Sequence, residues 1–362
     1  MNYLDLPHGR LPLPAFLPDA THGFVRSADA ADLEACGIQA VVMNVFHLMQ
    51  RPGAGLIKRR GGLHAFSGWS RPIVTDSGGF QAFSLIGQNK KYGRITPDGI
   101  VFHPEGGGRK VLLPPEKSIR LQVELGADVV ICLDHCTHSS DDAKLQQDSV
   151  ELTVDWAGRC RREFDRCLKV RSQSSAVRPL IFAVVQGGAS PQLRRDCAQS
   201  LLDIGFDGFG FGGYPLDREG RLLEGMLACV REHLPDRYPL FALGIGQPAN
   251  VIRAHRLGFS LFDCSLPTRD ARRGRLYGGV IPEAAIAIKN ELFSYIYIDD
   301  EKHARNGKPI SPDCDCLACA RYSLSFLHHL HKIEDSLFLR LATIHNLRFM
   351  ARLMQSLGAG EP

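Results

Sequence analysis

Three aspartates stand in contexts that suggest chemistry: Thr75-Asp76-Ser77-Gly78-Gly79-Phe80-Gln81, Leu133-Asp134-His135-Cys136 and Phe262-Asp263-Cys264. Two further segments join glycine pairs to an amide or to bare backbone, Val185-Gln186-Gly187-Gly188 and Gly210-Phe211-Gly212-Gly213. Two carboxylates flanking one bond can cleave a glycosidic linkage, one as nucleophile and one as acid/base. A third carboxylate beside an amide is suited to reading a purine edge. The carboxylate accepts from N1–H and the exocyclic amine of guanine, while Gln and backbone N–H groups donate to O6. Glycines let backbone approach a flat ring, and Phe80 offers a stacking face. Any one of these aspartates alone would read as a turn or helix-cap residue; three at corresponding positions read as a site.

A second constellation is Cys314-Asp315-Cys316-Leu317-Ala318-Cys319, with His345 twenty-six residues beyond. Three thiolates and one imidazole complete a tetrahedral shell with no open position, so a zinc ion held there would be structural. By spacing alone His328, His329 and His331 compete for the fourth place. They read as a solvated or interface face of one helix, and His345 as part of a second helix folding back. The other eight of the eleven cysteines are scattered, which predicts reduced thiols and a cytoplasmic chain. A basic stretch, Thr268-Arg269-Asp270-Ala271-Arg272-Arg273-Gly274-Arg275, follows Asp263 closely and suggests phosphate and base contacts.

The elements that would carry these residues recur regularly. Apolar, β-rich runs fall at 14–18, 40–45, 72–76, 128–134, 180–186, 208–212, 240–244 and 261–263, with amphipathic helical stretches between several of them. Helices are expected over Ser27–Cys36, with Ser27 as cap, over Ser190–Ile204 and over Ala249–Leu257. Eight alternating units predict an α/β fold, a (β/α)8 barrel, with the aspartates at the C-terminal mouth. The rival open sheet would want a Gly-rich phosphate loop after an early strand, and the chain's Gly-rich stretches do not read G-x-G-x-x-G at a strand-to-helix turn. Asp-Gly and Gly-Gly turns place an antiparallel β insertion at about 88–114. The expected division is a catalytic barrel over 1–285 and a zinc-binding helical subdomain over 286–362.

Composition sets outer bounds. Apolar residues make up 44% and charged residues 23% of 362, the balance of a globular enzyme. No run of about 18 apolar residues exists to span a membrane. Residues 1–14 lack the basic-then-apolar pattern of a secretory signal. The net charge of +4 permits nucleic-acid binding only where it is clustered.

Together these motifs resemble the queuine/tRNA-guanine transglycosylase family, bacterial type. The likeness rests on Asp76-Ser-Gly-Gly-Phe-Gln81, Val185-Gln-Gly-Gly188, Gly212-Gly213, Leu243-Gly-Ile-Gly246, Phe262-Asp-Cys264 through Pro267-Thr-Arg269, and Cys314-x-Cys-x-x-Cys319 with His345. It runs from about Leu13 to Leu357, and the chain ends where the bacterial type ends. The resemblance implies a pentosyltransferase that exchanges guanine at the wobble position of G-U-N anticodons for a 7-substituted 7-deazaguanine. It implies Asp263 as nucleophile, forming a covalent glycosyl–aspartate, and Asp76 as general acid/base. Asp134, Gln186 and Gly213 would read the base, Phe80 and Leu243 would sandwich it, and Thr268, Arg269 and Arg272 would bind tRNA. One structural Zn2+ on Cys314, Cys316, Cys319 and His345, and no other cofactor, would complete the enzyme. A homodimer is implied, with Tyr322, Phe326 and His329 on one helix face as its contact.

Two departures concern the incoming base. Tyr214-Pro215-Leu216-Asp217-Arg218 replaces the usual Leu-Ala-Val-Gly-Glu after the glycine pair, and His135 replaces Glu after Asp134. The aminomethyl base preQ1 is the default, and queuine the alternative. Arg218 near the 7-substituent would disfavour a small cation, while His135 or Asp217 could meet the cyclopentenediol of queuine. A non-catalytic zinc-containing RNA-binding subunit is the rival function, but it should have lost Asp76 and Asp263. A metal-dependent hydrolase would want His-x-His or a carboxylated Lys at strand ends, and neither appears.

Overall fold

Strands buried on both faces need near-continuous apolar sequence rather than alternation, and runs such as Val41-Val42-Met43 and Ile181-Phe182-Ala183-Val184-Val185 supply it. The computed structural model describes residues 2–104, 109–170, 177–279, 281 and 293–359. Eight strands form one parallel sheet: β1 (Ala15–Pro18), β2 (Val41–Asn44), β3 (Ile73–Asp76), β4 (Val129–Ile131), β5 (Leu180–Val185), β6 (Gly208–Phe211), β7 (Leu240–Ala242) and β8 (Leu261–Cys264). Their order is β1-β8-β7-β6-β5-β4-β3-β2. A parallel bridge between Asp19 and Val42 brings β1 beside β2 and closes the barrel.

The pleat sends alternate side chains inward. Ala15, Leu17, Val42, Val74, Val129, Ile131, Phe182, Val184, Phe241 and Leu261 fill the lumen. The intervening Phe16, Val41, Ile73, Val130, Ile181 and Phe209 pack outward against the helices. An N-terminal hairpin, Tyr3–Leu6 with Gly9–Pro12, adds Leu4, Leu6, Leu11 and Leu13 to the lumen cluster and stoppers the floor. Asp128, at the foot of β4, fastens it by accepting from His8 N at 2.9 Å and Ile73 N at 2.8 Å. The strand ends that carry Asp76 and Asp263 open on the opposite, C-terminal mouth.

After β3 the chain makes helix Gly79–Gln88 and then the expected antiparallel insertion, strands Gly93–Thr96, Gly99–Phe102 and Val111–Leu113. Its Gly106-Gly107-Gly108 connection lies outside the described residues. Past β8, helix Leu266–Arg272 leads to strand Arg275–Gly278, which pairs antiparallel with Ser294–Tyr297. The expected boundary at 285 lies outside the described residues, and this ribbon spans it. Helix Ser336–Gly358 lies along β1 and against helices Ala30–Ala35, Pro248–Arg256 and Leu266–Arg272, the place where the eighth helix of the barrel belongs. Among the described residues no helix is long and apolar enough to cross a membrane.

Local differences have local causes. Helix Ala30–Ala35 is capped by Asp29, in a reciprocal capping box with Asp32, and not by Ser27, whose φ of 67° places it outside the helix. Ser190 caps helix Pro191–Ile204 as expected. Of the histidine trio, only His329 is fully exposed. His328 is buried with Nδ1 2.7 Å from the Ile298 carbonyl, and the His331 ring packs against Phe338.

Candidate functional site

The strand ends place Asp76 and Asp263 at the mouth, on β3 and β8. Asp263 Oδ1 accepts from Gly244 N–H at 2.9 Å. Burial pushes its carboxyl up to about 7, the Gly244 N–H opposes this, and the negative charges of Asp76 and Asp19 add to it. Asp76 is in register with Asn44 at the end of β2. Asn44 Nδ2 donates to Asp76 Oδ2 at 3.0 Å, and the Gln81 side chain and the Ser77 and Gly78 N–H groups donate as well. Burial nevertheless raises Asp76 above the usual carboxylate value.

Asp134 and Gln186 form the inner wall. Gln186 Nε2 donates to Asp134 Oδ2 at 2.6 Å. Burial pushes Asp134 up to about 7, with Asp76 adding to the shift. Asp76 thus raises both of the other carboxylates, Asp134 and Asp263. Gln186 Oε1 is buried without a partner, an acceptor in a position where native structures nearly always provide one. Glycine is obligatory around this pair. A Cβ at Gly79 would lie 2.8 Å from both Asp134 O and Oδ1, and one at Gly212 would lie 2.5 Å from Gln186 Nε2. Gly213 follows at φ +84°.

Aromatic side chains edge the mouth. Phe80 is 39% exposed at the start of helix Gly79–Gln88. The Tyr214 ring lies 5.3 Å from that of Phe80 and 5.3 Å from that of His138. Leu243 is half-buried and leans over Gly210, where a Cβ would meet its Cδ1 at 2.9 Å.

The other departures sit differently from the sequence expectation. Arg218 is exposed in the turn between Asp217 and Arg221, where solvent screens its charge. Asp217 accepts from the Glu219 and Arg221 N–H groups and from Arg221 Nε, so its carboxylate is committed to that turn. His135 is half-buried, its backbone held by Thr153 and Ser149, and its Nδ1 lacks a partner. Burial lowers the His135 pKa.

Helix Leu266–Arg272 presents Arg269 to solvent and leaves Arg272 half-buried with Nη1 unpartnered. Burial lowers the Arg272 pKa; among its charged neighbours Arg26, Arg269 and Arg273 lower it too, while Asp19 opposes them. This cationic lip stands next to Asp263. Thr268, by contrast, is buried and donates to Ser265 O at 3.1 Å, so its hydroxyl shapes the helix start.

Away from the mouth, Cys314, Cys316, Cys319 and His345 are buried and converge. Their Sγ atoms lie 3.8, 3.6 and 3.3 Å from His345 Nδ1. A tetrahedral ion with bonds of about 2.3 Å to sulfur and 2.0–2.1 Å to nitrogen needs S···N edges of about 3.5 Å, so the four residues fit a metal ion of that size. His345 Nε2 faces the Tyr277 carbonyl at 2.7 Å, which fixes Nδ1 as the ligand atom.

Sequence reasoning missed several supports. Asn44 ends β2 as Asp76 ends β3, a signal that strand alignment would have given. Arg194 is fully buried beneath the loop after β5, donating to Val185 O at 2.6 Å and Gly188 O at 3.0 Å, with its guanidinium 4.0 Å from the Phe211 ring centroid. Nothing in its helical periodicity marks it.

A family model described as "Queuine tRNA-ribosyltransferase" matches residues 1–359. Relatives named queuine tRNA-ribosyltransferase include that of Pseudoalteromonas translucida (strain TAC 125), 37% identical over 98% of this chain and 87% of its own. That of Francisella tularensis subsp. novicida (strain U112) is 36% identical over 98% of this chain and 89% of its own. With the mouth aspartates, the glycine pairs and the Cys3His cluster in place, the chain belongs to the queuine tRNA-ribosyltransferases, a family of pentosyltransferases.

Proposed function

We propose that the protein exchanges guanine at the wobble position of G-U-N tRNAs for a 7-substituted 7-deazaguanine. The observation that carries this reading is the set of coupled carboxylates at one mouth, with Asp263 and Asp76 on strands β8 and β3 and Asp134 beside Gln186. An Asp263 carboxylate oxygen attacks ribose C1′ as the C1′–N9 bond breaks, and Asp76 supplies the proton that the leaving guanine takes up. The incoming base then gives its N9 proton to Asp76 and displaces the Asp263 carboxylate from C1′. Burial raises the Asp76 carboxyl, the direction that suits a group which must carry that proton. The glycosyl ester conserves the bond between half-reactions, so no redox or nucleotide cofactor is required.

Asp134 accepts from the base's N1–H and amine, while Gln186 and the Gly213 backbone face O6. Phe80 and Leu243 cover the ring. Arg269 and Arg272 take the anticodon loop, with Thr268 setting their helix. The Cys3His cluster holds one structural zinc. Tyr322 and Phe326, stacked at 4.9 Å, and the exposed His329 form the contact of a homodimer. PreQ1 is the default incoming base and queuine the competitor. Tyr214 and Pro215 are the departures still placed to discriminate. Incubation with unmodified tRNA and each base, followed by digestion and mass analysis of the wobble nucleoside, tests the whole reading. Recovery of unmodified guanosine alone with every base would refute it.

A further inference from the structure

The antiparallel insertion concentrates charge in a way the catalytic reading does not use. Over 88–114 there are five cations, Lys90, Lys91, Arg94, Arg109 and Lys110, against two carboxylates, Asp98 and Glu105. These 27 residues thus hold +3 of the whole chain's +4. All five cations are exposed, and none forms an ion pair among the described residues.

Register gathers them. Gly93, Phe102 and Val111 align across the three strands, so Lys90–Lys91 and Arg109–Lys110 emerge at the same end of the sheet. Arg94, Val101 and Leu112 are paired in register and share the outer face, with Arg94 and Leu112 exposed. The opposite face, Ile95, Ile100 and Leu113, packs on the core. Tyr92, 40% exposed, stands between the lysines and the first strand. Cations interleaved with an exposed aromatic suit a nucleic-acid backbone with an unstacked base.

Position makes the patch relevant. The insertion sits on the mouth: Phe102 packs 4.7 Å from Phe46, the second residue after β2. Helix Gly79–Gln88 connects Phe80 to the lysines over about 15 Å. The cationic helix Leu266–Arg272 follows β8, and the insertion follows β3. With β1 and β2 between these strands, the two basic surfaces stand on different sides of the opening that holds Asp76 and Asp263. An RNA strand that sends one nucleotide into the mouth leaves it in two directions.

We propose that the insertion face formed by Lys90, Lys91, Arg94, Arg109 and Lys110 binds the tRNA backbone on the side of the target nucleotide away from Arg269 and Arg272. This rests on the tRNA-exchange reading above. The test compares the wild-type chain with K90A/K91A/K110A and with its charge-keeping counterpart K90R/K91R/K110R. Exchange of labelled guanine into tRNA and anisotropy of labelled tRNA across a salt series are both measured. Each lost phosphate contact removes roughly 0.7–0.9 from the slope of log affinity against log salt. The alanine variant should lose about 2 in slope and raise the KM for tRNA roughly tenfold or more at 0.15 M salt. Its kcat and KM for guanine should stay unchanged, and the arginine variant should behave as wild type. An unchanged slope and tRNA KM overturn the proposal. So does a fall in kcat with the guanine KM disturbed, which would mark the insertion as a support of Phe80. If the wild-type chain exchanges no guanine, the exchange reading fails, and the anisotropy series still decides whether this face binds tRNA.

Discussion

Asp134 gives the sharpest quantitative test. It is 8% exposed, and its carboxyl is pushed by burial from 3.8 up to about 7. The folded chain therefore holds this proton more tightly than the unfolded chain. The associated stability is fully present below about pH 4 and is lost as pH rises to about 7. Asp134→Asn keeps the shape and still accepts from Gln186 Nε2, but it cannot ionise. A shift of about three units at 1.36 kcal/mol each sets an upper bound of roughly 4 kcal/mol above pH 7. Part of it comes from Asp76 and disappears when Asp76 is protonated, so about 2–4 kcal/mol is expected. At about 2.1 cal/mol/K per residue, unfolding this chain carries roughly 0.76 kcal/mol/K. The variant should thus melt about 3–5 °C higher than wild type at pH 8 and only about 1 °C higher at pH 4.5. Thermal unfolding of the two proteins in matched buffers across that range measures it. A shift equal at both ends, or none at pH 8, would refute the claim that a buried ionised carboxylate is kept here at a cost in stability. The same variant should lose base exchange, since an amide N–H would face the N1–H donor of guanine.

Other outcomes follow from neighbouring residues. Asp263→Ala should abolish both exchange and the denaturant-stable RNA–protein band on gels, and Asp76→Asn should stop turnover; a surviving band in Asp263→Ala removes that residue as nucleophile. As the proposed nucleophile, Asp263 must be ionised to attack, and burial pushes its carboxyl up to about 7; kcat/KM for tRNA should then climb with pH through that value, and a flat profile from pH 6 to 8 would contradict it. Metal analysis of chelator-free protein should find one zinc per chain, and stripping it should weaken tRNA binding more than guanine binding. Tyr214→Leu should change the ratio of preQ1 to queuine incorporated in direct competition by severalfold, whereas Arg218→Glu, at an exposed turn, should leave it unmoved. Light scattering at micromolar concentration should give twice the chain mass of 39.9 kDa, and a monomer there excludes the proposed contact at Tyr322 and Phe326.

Much of the barrel was legible because parallel strands buried on both faces leave apolar runs, and because glycines and aspartates collect where those runs stop. Gly79 and Gly212 were legible as members of the Asp76-Ser-Gly-Gly and Gly212-Gly213 motifs, and the structure adds the reason: a Cβ at either would strike Asp134 or Gln186. What escaped was set by packing between segments far apart in the chain. Ser27 looked like a cap from its neighbours, but Asp29 and Asp32 satisfy each other and end the contest. His328 looked solvated, until the Ile298 carbonyl turned out to lie against its ring. Arg218 occupied the family's glutamate position in the linear order, yet Asp217 folds the segment into a turn of its own and carries Arg218 outward. Buried Arg194 had no local signature at all, since the carbonyls it serves belong to the loop after β5.

The distance between the Cys3His cluster and the aspartates is bridged by hydrogen bonds that no single motif reveals. His345, beside the three thiolates, faces the Tyr277 carbonyl, and the next residue, Asn346, accepts from Tyr277 N–H and donates to the carbonyls of Pro267 and Arg275. Tyr277 in turn donates its hydroxyl to Asp270 at 3.0 Å, and Arg275 donates to the same carboxylate at 2.6 Å. Pro267 and Asp270 lie in the helix that presents Arg269 and Arg272 beside Asp263. An ion that fixes His345 therefore also fixes the cationic lip of the mouth, without touching a reacting atom. This is why loss of the metal should appear first in the affinity for tRNA, while Asp134 and Gln186, carried on the loops after β4 and β5, should retain the proposed base contacts.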